Sequence, residues 1–230
     1  MIMKAKMILF IVEGPSDHYA LIPYIEDKFT QQKIKVTVDE IHGDILTEYI
    51  ENTRIYKVNK NNVKKELTDR IKQYFNTQDV KFQNIKAKDI IAIYYITDTD
   101  YCFSQNTSSF LNKKECLMKM FNFDNLELIK DRLVPFKVIF LSKHLEHIIN
   151  GTEENLSALE KEKIAVNFGD RSRKEDNFYE NTFRNEDVKT WKSFKESYQG
   201  IVTYVGRASN MNNLLDEIEK NIKNCLKISP

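Results

Sequence analysis

The stretch Met7-Ile8-Leu9-Phe10-Ile11-Val12-Glu13-Gly14-Pro15-Ser16-Asp17 decides the fold. Six apolar residues follow one another without polar alternation, the pattern of a strand buried on both faces in an α/β sheet. The run delivers Glu13 to the carboxyl edge, where open α/β sheets place their ligand sites. Beyond Gly14, Pro15 or Ser16 starts a helix with Asp17 in its first turn, where the helix dipole favours an acid. Far along the chain, Ile90-Ile91-Ala92-Ile93-Tyr94-Tyr95-Ile96 is again apolar and ends in Thr97-Asp98-Thr99-Asp100. Two buried strands finish in acid, and if they are neighbours their carboxylates form one split site.

The chain around these strands is ordinary in bulk. Its 230 residues suffice for a core domain with an elaboration, and 41% hydrophobic with 30% charged residues fits a globular protein. A net charge of +1 supplies no global attraction to polyanions, so nucleic-acid binding has to come from local patches or bound metal. Cys102, Cys116 and Cys225 are too scattered for a disulfide framework or a Cys-x-x-Cys zinc site. That usage, a start unlike a signal peptide and the lack of a membrane-length apolar run predict a cytoplasmic protein with no membrane association.

Taken in order, a helix is expected from Pro15 to about Phe29, with Pro23 shortening or kinking it. A strand over Ile34 to Val38 and a turn at His42-Gly43-Asp44 follow. Residues 44–88 read as a helical insertion, a pair of helices with Ile45, Leu46, Tyr49 and Ile50 on one face and Val63, Leu67 and Ile71 on another. The strand Ile90 to Ile96 should be central. A helix over Lys113 to Phe121, a strand over Phe136 to Leu141 and a short helix ending at Asn150-Gly151 complete a core over 1–150. Residues 151–230 read as a mainly helical extension packed on it. Helices are expected at Glu153 to Ala165, Asp187 to Tyr198 and Ser209 to Leu226, with a long loop over Asn167 to Asp187 and a late strand over Ile201 to Val205.

Converging carboxylates repel one another, and a divalent cation such as Mg2+ or Mn2+ is the simplest way to keep them ionised together. In extended geometry Asp98 and Asp100 project on one side, roughly 7 Å apart along the backbone. With Glu13 they would bracket one metal ion, or two at about 4 Å, and so suit phosphoryl transfer or phosphodiester cleavage. Gly14, having no Cβ, leaves room for a phosphate at the helix start. His18 beside it reads as a hydrogen-bond donor to phosphate or a surface residue. Between Arg54 and Lys72 seven basic residues, Lys64 and Lys65 among them, meet two acids; the run reads as a solvated face or a patch that tracks a phosphate backbone. Lys143, Arg171, Arg173 and Lys174 are further candidate phosphate contacts, and Glu146 a late acid at the same edge. His144 and His147 read as structural histidines.

Ile8-Leu9-Phe10-Ile11-Val12-Glu13-Gly14-Pro15-Ser16-Asp17 with Ile93-Tyr94-Tyr95-Ile96-Thr97-Asp98-Thr99-Asp100 resembles the Toprim domain, and the Val-Glu-Gly-Pro-Ser-Asp wording resembles the OLD-type (overcoming lysogenisation defect) nucleases. The resemblance covers about residues 7 to 142. It implies an α/β, Rossmann-like, four-stranded and mainly parallel sheet flanked by helices. It also implies Glu13 as acid/base or metal-binding glutamate, Asp98 and Asp100 as magnesium ligands, and Asp17 as an aid to a second metal. OLD-type proteins carry an ATPase in the same polypeptide, whereas no Gly-x-x-x-x-Gly-Lys-Ser/Thr loop occurs here. The resemblance therefore implies a stand-alone nuclease acting on DNA or RNA, an effector of bacterial anti-phage defence working with a separate ATPase.

Two other functions compete. A haloacid-dehalogenase-like phosphatase also places Asp-x-Asp after an apolar strand, with Gly169-Asp170 as its later motif and Asp98 as nucleophile, but it leaves Glu13-Gly14 unexplained. A non-catalytic Toprim subunit that binds a partner or nucleic acid is the other.

Overall fold

In a computed structural model, the structure describes residues 6–40, 45–76 and 86–227. The turn expected at His42-Gly43-Asp44 and residues 77–85 of the expected insertion lie outside them. The strands are β1 (Lys6–Val12), β2 (Ile34–Glu40), β3 (Ile90–Asp98), β4 (Asn125–Ile129) and β5 (Arg132–Leu141). They form one sheet in the order β2-β1-β3-β5-β4. The first four in that order run parallel, and β4 returns antiparallel to β5. Expectation and structure agree on an α/β sheet with β3 at its centre and differ on the count, because β4 adds a fifth strand.

β1 explains the layers. Met7, Leu9 and Ile11 enter one apolar cluster and Ile8, Phe10 and Val12 the other, so both faces are covered and the run cannot alternate with polar residues. On the first face lie α2 (Val63–Tyr74) and α3 (Ser108–Met120). On the second lie α1 (Pro15–Thr30), α4 (Leu145–Asn150), α5 (Ala158–Lys174), α6 (Phe178–Phe183) and α8 (Met211–Lys227). Met211, Leu214, Leu215 and Ile218 of α8 belong to the same cluster as Phe10 and Tyr94, so the C-terminal helix is part of the sheet's own core.

α1 continues through Pro23. A proline has no N–H for the carbonyl four residues back, here that of Tyr19. That oxygen abuts Gly169 of α5, where a Cβ would stand 2.2 Å from it. Proline in one helix and glycine in the other therefore mark the α1/α5 crossing.

Several expectations are corrected. Residues 45–62 form turns around a Tyr49–Tyr56 bridge rather than a helix, and Tyr49 and Ile50 are exposed while Ile45 and Leu46 are buried. Asparagines are the cause. Asn62 Oδ1 accepts from the Asn59 N–H at 2.8 Å and its Nδ2 donates to the Lys57 carbonyl at 2.9 Å, while Asn52 is left-handed with φ of 60°. Such local bonds satisfy the backbone without a helix.

The loop expected over 167–187 is the end of α5 followed by α6. The helix begins at Ala158 because Ser157 and Glu160 form a reciprocal capping box. Of the helix expected over 187–198, only α7 (Phe194–Gly200) forms, with Ser193 accepting from the Glu196 N–H and Trp191 buried ahead of it. No strand forms over Ile201 to Val205; the chain turns there, and Ser209 makes a single bridge to Leu141. β5 starts four residues earlier than expected because Leu126 and Leu128 of β4 face inward and pair its first half through a turn at left-handed Asp131. Among the described residues no helix is long and apolar enough to span a membrane.

Candidate functional site

Glu13, immediately after β1, and Asp98, the last residue of β3, leave adjacent strands at the same end of the sheet. Glu13 is 13% exposed in its side chain and accepts a short hydrogen bond from the Thr97 hydroxyl on Oε1. Asp17 is buried in the first turn of α1. Burial, and then the charge of Glu146, push its carboxyl up to about 7 against the opposing pull of the Gly14 backbone N–H, Lys161 and the Glu13 backbone N–H. Asp98 is held well above the usual carboxylate range by burial and by the charges of Asp17 and Glu13, with Lys113 opposing. Its Oδ1 is shut off from solvent without a hydrogen-bond partner among the described residues.

Asp100 joins from a different backbone. Left-handed φ angles of 45° at Asp100 and 56° at Lys143 set two turns side by side, bridged by the Asp100 N–H to the Lys143 carbonyl at 2.7 Å. Thr99 locks the pair: its N–H reaches the Leu141 carbonyl at 2.8 Å and its hydroxyl accepts from the Lys143 N–H at 3.0 Å. Asp98 and Asp100 thus do not share one extended segment, which corrects the even spacing expected for them. Left-handed non-glycine residues cost energy that the surroundings must offset, and they concentrate at functional sites.

A cation also sits in the cluster, where sequence reasoning expected carboxylates free of basic partners. Lys113 of α3 is completely buried, with Nζ 2.7 Å from Asp100 Oδ2 and 3.9 Å from Glu13 Oε1. A signal for it existed: Lys113 falls on the helical stripe of Cys116, Leu117 and Met120, so a lysine occupies an inward-facing position. Glu146 extends the acids on the other side. Burial pushes its pKa up, but the His144 hydrogen bond at 2.9 Å, its own backbone N–H and Lys161 outweigh that and leave it below the usual value. Carboxylates of Glu13, Asp17, Asp98, Asp100 and Glu146 therefore face one another electrostatically along the sheet edge.

The donors are hard oxygens, and the partnerless Asp98 Oδ1 suits a divalent cation. As placed, no three His, Cys, Asp or Glu side chains among the described residues stand where they could hold a metal together. Lys113, set between Glu13 and Asp100, and the Thr97 hydroxyl on Glu13 occupy the positions a cation would compete for.

The remaining candidates are dispersed. Gly14 has an extended backbone and open space where a Cβ would be, so nothing in the fold demands glycine, and the approach to the start of α1 is clear. His18 stacks on Tyr19 with ring centroids 6.0 Å apart. Lys143 pairs with Glu153 at 2.5 Å. Lys64 lies over the Phe123 ring and Lys65 pairs with Asp69 at 3.0 Å, both on α2, which packs against β4 and α3. Arg171, Arg173 and Lys174, expected in a loop, end α5 as a basic last turn paired with Glu175 and Asp170. His144 and His147 bond locally, to Glu146 and to Ser142. Gly169-Asp170 lies within α5 against α1 and follows no strand, which removes the second motif of the phosphatase reading.

The fold and the acidic edge define an α/β protein with a mostly parallel sheet and a carboxylate cluster at its carboxyl end. No protein-family model, curated protein or solved structure matches the chain.

Proposed function

We propose that this protein is a Mg2+- or Mn2+-dependent nuclease of the Toprim, OLD-like type. It would hydrolyse phosphodiester bonds in DNA or RNA as a cytoplasmic effector of bacterial anti-phage defence working with a partner ATPase. One observation carries the reading: Asp98 meets Glu13 and Asp17 from a distant segment, burial first and then their charges raise its carboxyl, and its Oδ1 lacks a partner among the described residues. Structural ion clusters are normally neutralised by basic groups, whereas here the acids outnumber the cations that face them.

Asp98 and Glu13 would hold the metal, with Asp100 and Asp17 flanking. The bound ion would supply charge neutralisation for these carboxylates and electrophilic stabilisation of a phosphate. Glu13, whose Oε1 accepts from the Thr97 hydroxyl, would take the proton from attacking water. The clear flank at Gly14 admits the phosphate to the start of α1. Lys113 is fully buried and acts by holding Asp100.

The test is cleavage of plasmid DNA and of tRNA by the purified protein, with the partner ATPase supplied and Mg2+ or Mn2+ added. Glu13→Gln and Asp98→Asn should each lower the rate by about a hundredfold or more. Cleavage that persists in both variants overturns the reading.

A further inference from the structure

Away from the acidic edge, the end of α3, the middle of β5, α7 and α8 surround a cavity of about 850 Å3, a size typical of small-ligand sites. One wall is aromatic. Tyr198 and Phe194 are its partly exposed rings, backed from the core by Phe136 and by Phe121, which stacks on Tyr198 with centroids 4.7 Å apart and planes 4° from parallel.

The rim is cationic once its internal pairs are discounted. Glu217 is taken by Lys137 and by the Tyr94 hydroxyl at 2.5 Å, and Asp216 by Arg184 at 2.7 Å. Among the described residues Lys192, Lys195 and Lys220 enter no ion pair, against Asp124 as the one lining acid in the same condition.

Asn213 supplies the specific signal. It is 4% exposed and lines the cavity, and its Oδ1 accepts from Asn212 Nδ2 at 3.4 Å. Its Nδ2 is buried without an acceptor among the described residues. Buried amide donors are nearly always satisfied, so an acceptor that a ligand offers as the Asn213 side chain turns toward the cavity is the natural complement.

We propose that this cavity binds a nucleotide. The base lies against the Tyr198/Phe194 wall, a base or sugar acceptor takes the Asn213 amide, and the phosphates meet Lys192, Lys195 and Lys220. This site shares no residue with the acidic cluster and stands whether or not the protein is a nuclease.

The experiment is calorimetric titration of the full chain, in EDTA and in parallel in Mg2+, with ATP, GTP, CTP and UTP, and separately with a short single-stranded oligonucleotide. Saturable one-site binding of at least one probe is expected, and the two arms distinguish a free nucleotide from a strand end. Lys192→Glu/Lys195→Glu, both exposed positions, should weaken binding at least about tenfold with an unchanged melting temperature. Asn213→Leu should weaken it by a similar factor. No saturable binding by any probe overturns the proposal, as does binding that the lysine reversal leaves unchanged. Binding that requires Mg2+ and disappears in Asp98→Asn belongs to the acidic edge and equally overturns it.

Discussion

Lys113 Nζ lies 2.7 Å from Asp100 Oδ2 and 3.9 Å from Glu13 Oε1, at the end of a side chain with no exposed surface. The ammonium is therefore the internal counter-charge of an acidic cluster, delivered by a helix on one face of the sheet to carboxylates at its end. Removing one partner of a buried pair leaves an uncompensated charge, typically at about 3–5 kcal/mol.

Lys113→Met should thus destabilise the fold in metal-free buffer at neutral pH. Because Asp100 is 40% exposed, the expected cost is reduced to about 2 kcal/mol. Added Mg2+ or Mn2+ should restore part of the loss, since a divalent cation takes over the neutralisation. Urea unfolding with and without metal measures both, and an unchanged midpoint contradicts the counter-charge role.

Asp17 gives the pH dependence its sign. Its folded carboxyl sits at about 7 against an ordinary 3.8, so between those values the folded state binds more protons than the unfolded chain. Stability therefore falls as pH rises through that window, and the fall levels off above about 7. Asp98, shifted in the same direction, reinforces the trend. Urea midpoints from pH 5 to 8 should decline in the wild type and decline less in Asp17→Asn. His147, held below its usual value by burial, works in the opposite direction over this range, so the readout is the difference between the two proteins, and equal slopes contradict the raised carboxyl of buried Asp17.

What the sequence made legible follows from burial on two faces. β1 and β3 lie inside the sheet between helical layers, so nothing interrupts their apolar runs, and the acids ending them are conspicuous. Their adjacency was the condition on which one split site rested, and the parallel pairing of β1 with β3 meets it. The apolar stripe marked Lys113 as inward-facing, but its pairing was hidden because its neighbour across space, Asp100, is presented by a left-handed turn that no periodicity encodes. The segment 45–62 was misread because its apolar spacing is compatible with a helix while its asparagines bond their own backbone. Residues 201–205 carry strand-like side chains, but β5's free edge is taken instead by Ser209 and Asn210.

Gly169 tests the helix crossing. A Cβ there meets the Tyr19 carbonyl oxygen at 2.2 Å, an atom of backbone that cannot swing aside. Gly169→Ala should force α1 and α5 apart and cost about 1–3 kcal/mol, as overpacking of a tight contact does, despite alanine's better helix propensity. A thermal melt equal to or above that of the wild type contradicts the close approach.

Asn210 tests how the outer edge of the second half of β5 is sealed. β4 pairs with β5 only as far as Pro135, and beyond that point the outer edge of β5 would present bare backbone. The fully buried Asn210 side chain closes it, with Oδ1 accepting from the Phe140 N–H at 2.9 Å and Nδ2 donating to the Val138 carbonyl at 3.0 Å. A single amide thus imitates one rung of a strand, at the point where α8 begins. Asn210→Ala leaves a buried donor and a buried acceptor unmatched, at about 1–3 kcal/mol for each group. Hydrogen exchange at the Phe140 amide should accelerate along with the global loss, whereas Asn210→Asp, which keeps the acceptor and removes the donor, should retain protection at Phe140 while still destabilising the Val138 side. Equal exchange in all three proteins would show that the edge is sealed by something other than this side chain.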